Sequence, residues 1–407
     1  MRINVDVSLF DCIFAVDWIG RIIGDDVDRR VTEFERREKR NPLLTNHFRE
    51  HYDIEFALAR TRWFQKKIGR LPRRQAYDAF YGLLVAAHRI HRELHPPAKG
   101  AFEGRLRNSI SDRHGFRPLA YEVSIATHLM RTGWDVEFAD YAGLGRFDLL
   151  ARRNNAEIEI ECKTTSGDGG RKIHRQEVNR LADLLLPTTE RLVETRGCHL
   201  LRITVPDRLG KTDQELMQIA ETFANAADRK NMASCDLARV DYEFDGLCSW
   251  PNPGEHPEAR DFFEEKFGAR NVHLMFHNRR HFAIVAVVIA SQKRDTVVAT
   301  LSEQAKDAAD QCSGKRPAIV ALQLIDQIDR QELQSMLKTP NGLHAIAHSV
   351  FSRESRSHVD SIAFSVPPRS ELDGLGVRRI SAPALVLNNP NPKFQSADVR
   401  TIFRSEK

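Results

Sequence analysis

At 407 residues the chain is longer than one ordinary domain and implies two or three. Its 41% hydrophobic and 29% charged residues are the balance of a globular protein that buries real cores, which excludes a fibrous or largely disordered chain. A formal charge of +5 is compatible with a polyanionic partner without demanding one.

No apolar run is long enough to span a bilayer. The longest, around Phe282–Ala290, is followed by Gln292, Lys293 and Arg294 and reads as a buried strand. Near the N-terminus Asp6, Asp11 and Asp17 interrupt the apolar residues, so a signal-peptide core is not expected and a cytoplasmic location with no membrane partner is. The six cysteines are scattered and form no C-x-x-C pair, which indicates neither a zinc knuckle nor a disulfide framework.

The first hundred residues read as helical. Asp28–Arg40 is a charge-dense helix stopped by Asn41-Pro42, a second covers about Ile54–Ile68, and a third about Arg73–Leu94. The third places Ala76, Phe80, Leu83, Leu84 and Ala87 on one face and is expected to end at Pro96-Pro97. The pattern then changes. An amphipathic helix over Leu119–Arg131 stops at Thr132-Gly133, and strands follow at Trp134–Phe138, Arg146–Ala151 and Ala156–Lys163, the last two joined by the turn Asn154-Asn155. The glycine-rich segment Ser166–Gly170 leads into a helix at about Lys172–Leu186, ended by Pro187, and then a strand at Cys198–Val205.

The C-terminal part has a helix at about Asp213–Arg229 and a strand at about Leu237–Phe244. A proline-rich loop follows around Pro251–Pro257. Next come strands at Val272–Phe276 and His281–Ile289, a helix at Thr296–Gln311 and a strand at Ala318–Leu324. The expected organisation is an α/β chain in three parts. These are a helical N-terminal domain (1–112), a central α-β-β-β-α-β domain (113–206) and a further α/β domain (207–407).

Strand alternation carries the chemistry. In Ala156–Lys163 the side chains of Ile158, Ile160 and Cys162 point one way, and those of Glu157, Glu159, Glu161 and Lys163 the other. A row of like charges on a strand is unfavourable unless water, a cation or an opposite charge relieves it. Glu157 and Glu159 read as solvated residues and Cys162 as core. An antiparallel partner strand sets Asp148, with twelve residues between it and Glu161, beside the Glu161–Lys163 end. Two carboxylates for a hard cation and a lysine within reach of a water result.

These residues resemble the PD-(D/E)XK phosphodiesterase superfamily, which includes many restriction endonucleases. The resemblance covers Leu119–Ile203. It rests on Phe147-Asp148, then Glu161-Cys162-Lys163 on the next strand, with Glu122 on the preceding helix; Phe147 stands where the family name has proline. It implies a restriction-endonuclease-like core and Mg²⁺-dependent hydrolysis of DNA, with Mn²⁺ as a substitute, in restriction or defence against foreign DNA. Asp148 and Glu161 would ligate the ion, with the Cys162 backbone carbonyl as a further ligand. Lys163 would orient or deprotonate the attacking water. Glu122 would reach the metal through water or hold a second ion. Just past the glycine-rich loop, Arg171, Lys172 and Arg175 would contact the nucleic-acid backbone, and Gln176 would position Lys163 or a phosphate. The flanking domains would serve target recognition, homo-oligomerisation or a partner protein. The rival expectations are a nuclease-fold scaffold without turnover, and a nuclease for RNA or branched DNA.

Other features read as structural. His88, His91 and His95 share a helix face and fit a partly exposed basic surface better than a metal site. Phe276–Phe282 (FHNRRHF) has the letters of an HNH nuclease but sits in a hairpin turn. Trp63, Lys66, Lys67, Arg70, Arg73 and Arg74 form the densest basic cluster. The glycine-rich loop lacks the lysine and spacing of a P-loop, which argues against a nucleotide site.

Overall fold

The computed structural model describes residues 1–4, 7–44, 47–72, 77–165, 168–247, 262, 272–279, 283–325, 330–339, 342–366, 369–372, 378–381, 384–395, 399 and 402–403. The chain opens on helices α1 (Leu9–Ile23), α2 (Asp26–Arg40), α3 (His47–His51), α4 (Asp53–Ile68), α5 (Asp78–Glu93), α6 (Pro96–Ser111) and α7 (Arg117–Arg131). Strand β1 (Asp135–Phe138), the short helix α8 (Ala139–Ala142), β2 (Leu149–Arg153) and β3 (Ala156–Thr165) follow. Next come α9 (Arg175–Leu192), β4 (Gly197–Val205), α10 (Asp213–Arg229), β5 (Ala233–Ser234), β6 (Arg239–Asp245), β7 (Val272–Arg279) and β8 (Ala283–Ser291). The remainder comprises α11 (Val297–Gln311), β9 (Ala318–Leu324), α12 (Arg330–Lys338), α13 (Leu343–Phe351), β10 (Val359–Ser365), β11 (Arg369–Leu372), β12 (Arg378–Ser381) and β13 (Ala384–Asn388).

The chain is mixed α/β and divides into two compact units. One comprises Met1–Val31, His51–Gly169 and Val298–Lys407, the other Thr32–Glu50 and Gly170–Val297. These cuts are not the expected ones near residues 112 and 206. The helices before residue 112 form no separate domain, because Ile19, Leu58, Leu84, Ile90 and Phe102 share one core with Leu129, Trp134, Ile158, Ile160 and Ile319. Pro206 marks a loop inside the second unit.

The first unit carries a mixed sheet in the order β1-β2-β3-β9-β10-β13. β1, β2 and β3 are an antiparallel meander, β3 pairs in parallel with β9 and β9 with β10, and β13 closes the far edge antiparallel. The helix and strand that return to β3 are therefore α11 and β9. The expected continuation through Lys172–Leu186 and Cys198–Val205 lies in the other unit. Sequence neighbours are usually spatial neighbours, and here the chain leaves after β3 and returns more than a hundred residues later.

The second unit has its own sheet, β5-β6-β4-β8-β7, in which β4 and β8 are parallel. β8 (AIVAVVIAS) is buried along nearly its whole length, as a continuous apolar run in a central strand should be. Gly170 accepts a backbone hydrogen bond from Thr296 at 2.7 Å, so the chain enters and leaves Gly170–Val297 at neighbouring points.

Two prolines act differently from expectation. Pro96-Pro97 starts α6 rather than only ending the helix before it. Proline suits the first helical turn, where its missing N–H has no intrahelical acceptor, and the His95 ring accepts from the Ala98 N–H as a cap. Pro187 sits inside α9, which continues to Leu192 and buries Thr188 and Thr189 beyond it.

Candidate active site

The β2–β3 hairpin turns at Asn154, whose φ of 53° is a left-handed conformation that asparagine adopts more readily than most side chains. The resulting register pairs Leu149 with Ile160 and so brings Asp148, just before β2, beside Glu161. Backbone N–H groups anchor both carboxylates. The Asp148 N–H donates to Glu161 Oε2 at 3.2 Å, and the Cys162 N–H donates to Asp148 Oδ2 at 2.7 Å. Lys163 Nζ lies 2.5 Å from Glu161 Oε1 and donates to Gln311 Oε1 at 3.3 Å. Its side chain is 31% exposed, so the site opens to solvent at the lysine.

Burial raises both carboxyls. Burial pushes Glu161 up to about 7, the adjacent Asp148 charge adds to this, and the Lys163 ammonium works against it. Asp148 is raised by burial, against the Cys162 N–H and the charges of Arg105 and Lys163.

Glu122 projects from α7 into the same cluster and is almost fully buried. Burial, followed by the charge of Asp148, holds its carboxyl well above the usual glutamate range. One of its oxygens pairs with the Arg105 guanidinium from α6, while Oε2 is buried with no hydrogen-bond partner among the described residues. Arg105 also donates to the Tyr141 hydroxyl at 3.2 Å and lies 3.6 Å from Asp140 Oδ2. Burial and then the Asp148 charge raise Asp140 as well. Asp148, Glu161, Lys163 and Glu122 thus come together. Arg105, Asp140, Tyr141 and Gln311 join them and were not singled out in the sequence.

Of the two acids on β3 expected to be solvated, Glu159 is not. β3 lies centrally between β2 and β9, and both its faces are covered. Glu159 is fully buried and accepts from the Ser313 N–H at 2.7 Å, from Ser313 Oγ at 2.5 Å and from Arg316 Nη1 at 3.1 Å. Glu157 is half-exposed and accepts from Arg152 and Arg316. Cys162 joins the core as expected.

Arg171, Lys172, Arg175 and Gln176 belong to the second unit. Lys172 pairs with Asp207 at 2.7 Å and Arg171 is buried with Asp295 4.0 Å away. Gln176 is exposed on α9, and the amide that holds Lys163 is Gln311 on α11. His88 and His91 pack their rings against Trp18, His91 meets Glu103 at 2.9 Å, and His95 caps α6. Lys66 of the basic cluster pairs with Asp25 and Asp28. Arg73 and Arg74 of that cluster, Arg280–Phe282 of the hairpin turn, Ser166 and Gly167 of the glycine-rich loop and the Pro251–Pro257 loop lie outside the described residues.

Among the described residues no three acidic, histidine or cysteine side chains form a ready metal cage. The donor set nevertheless suits a magnesium ion, which keeps several waters and needs one or two protein carboxylates. Two adjacent carboxyls that burial makes costly to ionise, and a buried third with an oxygen lacking a partner among the described residues, form an acidic pocket whose ionised form a cation would stabilise. No family model, no curated protein and no solved structure matches this chain.

Proposed function

We propose that the Asp148–Glu161–Lys163 cluster is the active site of a magnesium-dependent endonuclease of the PD-(D/E)XK kind acting on DNA. The observation that carries this reading is the juxtaposition of Asp148 and Glu161, with the Asp148 N–H on Glu161, the Cys162 N–H on Asp148 and the Lys163 ammonium on Glu161. The element order supports it. Apart from the short α8, helix α7, the meander β1-β2-β3, then α11 and the parallel strand β9 follow the order α-β-β-β-α-β, with Gly170–Val297 inserted before the last helix.

On this reading Asp148 and Glu161 would hold the ion, together with the Cys162 carbonyl. When bound, the ion supplies Lewis-acid stabilisation of the phosphoryl oxygens and makes water a better nucleophile. Lys163 is the group placed to orient the attacking water and take its proton, and Gln311 fixes the direction of its ammonium. Asp148 and Glu161 are held by backbone N–H groups, so they are preorganised and need little rearrangement to bind. Arg146, exposed two residues before Asp148, is a basic side chain available for a phosphate.

The test is incubation of the purified protein with plasmid, linear, single-stranded and branched DNA and with RNA, with and without Mg²⁺ or Mn²⁺. Cleavage of duplex DNA only with the ion is the expected result. Cleavage confined to RNA or branched DNA would reassign the substrate. Ion binding with no cleavage of any of them would identify a nuclease-fold binding subunit instead.

A further inference from the structure

Arg105 reaches the acidic cluster from α6, outside the segment that carries the catalytic pattern. We propose that its guanidinium is a built-in second cation, so that the site takes one divalent ion rather than two. This rests on the metal-dependent reading above and specifies it.

Four carboxylates meet in the cluster: Glu122, Asp140, Asp148 and Glu161. They divide into two sets. Asp148 and Glu161 face each other across the hairpin beside Lys163. Glu122 and Asp140 flank the guanidinium, which Tyr141 also holds. The second set is the side on which another metal ion would need its ligands, and Arg105 already stands there. With every group ionised, four acids against Arg105 and Lys163 leave two negative charges, which one divalent ion cancels. A second ion would put two surplus positive charges into a partly buried space and would lie against a guanidinium, whose charge repels it. The geometry also explains why Glu122 keeps an unpartnered buried oxygen: Arg105 engages one of its two oxygens and no other described donor reaches the second. Arginine suits the post because it stays charged at any working pH and its planar fork serves several acceptors at once.

The proposal is tested by counting Mn²⁺ in the full-length protein by equilibrium dialysis and recording its electron paramagnetic resonance spectrum. Wild type should bind one ion per chain with the resolved hyperfine spectrum of an isolated Mn²⁺. Arg105→Gln should take up a second ion and show the broadened, spin-coupled spectrum of a close pair, with circular dichroism confirming the fold. Arg105→Lys keeps the charge and should stay at one. Two ions in wild type or in Arg105→Lys would overturn the inference and leave the metal-dependent reading standing, as would a single ion in folded Arg105→Gln. No bound ion in wild type would overturn both. Should Arg105→Gln not fold, the counts in wild type and Arg105→Lys decide the matter.

Discussion

Lys163 has two neighbours with different demands. Glu161 pairs with its ammonium and Gln311 accepts a hydrogen bond from it, whereas a general base must be free to take a proton. A divalent ion between Asp148 and Glu161 would neutralise them and oppose the ammonium, which eases loss of the proton. Catalysis, but not ion binding, should therefore depend on this side chain. Lys163→Ala should keep its fold and its Mg²⁺ affinity by calorimetry while cleavage falls roughly 10²-fold or more, the scale of one positioned acid–base group. Lys163→Arg keeps the charge and cannot give up a proton. A near-active arginine variant would point to electrostatic stabilisation, and full activity in Lys163→Ala would remove the site from consideration.

Glu55 gives the protein a pH dependence of its own. It is buried on α4 with Oε2 lacking a hydrogen-bond partner among the described residues, and the Phe116 N–H donates to its other oxygen. Burial raises it from 4.5 to about 7, with Arg30 pulling it down and Asp53 pushing it further up. The folded state thus keeps a proton that the unfolded chain has released. The stability this brings is fully present below the unfolded value of 4.5 and is lost as pH rises through about 7. The loss is on the order of 3 kcal/mol. Glu55→Gln should melt above wild type at pH 8 and close to it at pH 4.5, so equal melting temperatures at pH 8 would contradict this account. Gly115 belongs to the same arrangement: its φ is +60°, and a Cβ there would lie 1.9 Å from Glu55 Oε1.

At the scale of elements, the site was legible where its signal was local. Asp148, Glu161 and Lys163 are fixed by the alternation of one strand and the length of one hairpin turn, and Glu122 by a helix adjacent in sequence. Arg105 was hidden because Pro96-Pro97 looks like a stop and in fact opens α6. Gln311 was hidden because it reaches Lys163 from 148 residues away. The burial of Glu159 was missed for the same reason, since its partners Ser313 and Arg316 arrive with the loop before β9. That pairing carries a stability cost if broken. Removing one partner of a buried ion pair strands the other charge. Arg316 is partly exposed and Ser313 remains, so Arg316→Met should cost about 2 kcal/mol in urea unfolding, less than a fully enclosed pair. A shift of the midpoint within error would mean that Ser313 alone satisfies Glu159.

For the molecule as a whole, binding and chemistry should separate. Contacts with phosphates release counterions, so affinity for duplex DNA should fall steeply between about 50 and 200 mM salt. Asp148→Ala should bind as well as wild type or better, having lost a repulsive charge, while it no longer cleaves. Fluorescence anisotropy over a salt series decides this, and a flat response would show that nucleic acid is not the ligand. The architecture itself was only partly readable. Strand and helix patterns along the chain identify most elements, yet nothing local distinguishes a helix that returns to β3 from one that opens another unit. Both α9 and α11 follow a loop, are amphipathic and lead to an apolar strand.

The insertion also sets a timetable for the growing chain. On the ribosome β3 is complete long before its parallel partner β9 exists, because roughly 150 residues separate them. At 5–20 residues per second, that interval lasts roughly ten to thirty seconds. Throughout it one edge of β3 has no neighbour, the condition in which strands of different nascent chains pair wrongly. The exposed strand then carries Glu157, Glu159, Glu161 and Lys163 in water, and charge on an open edge discourages such pairing. The carboxylates that end buried against Ser313 and Lys163 would protect the unfinished sheet first, and α11 and β9 would seal them in only when the last part of the unit is made.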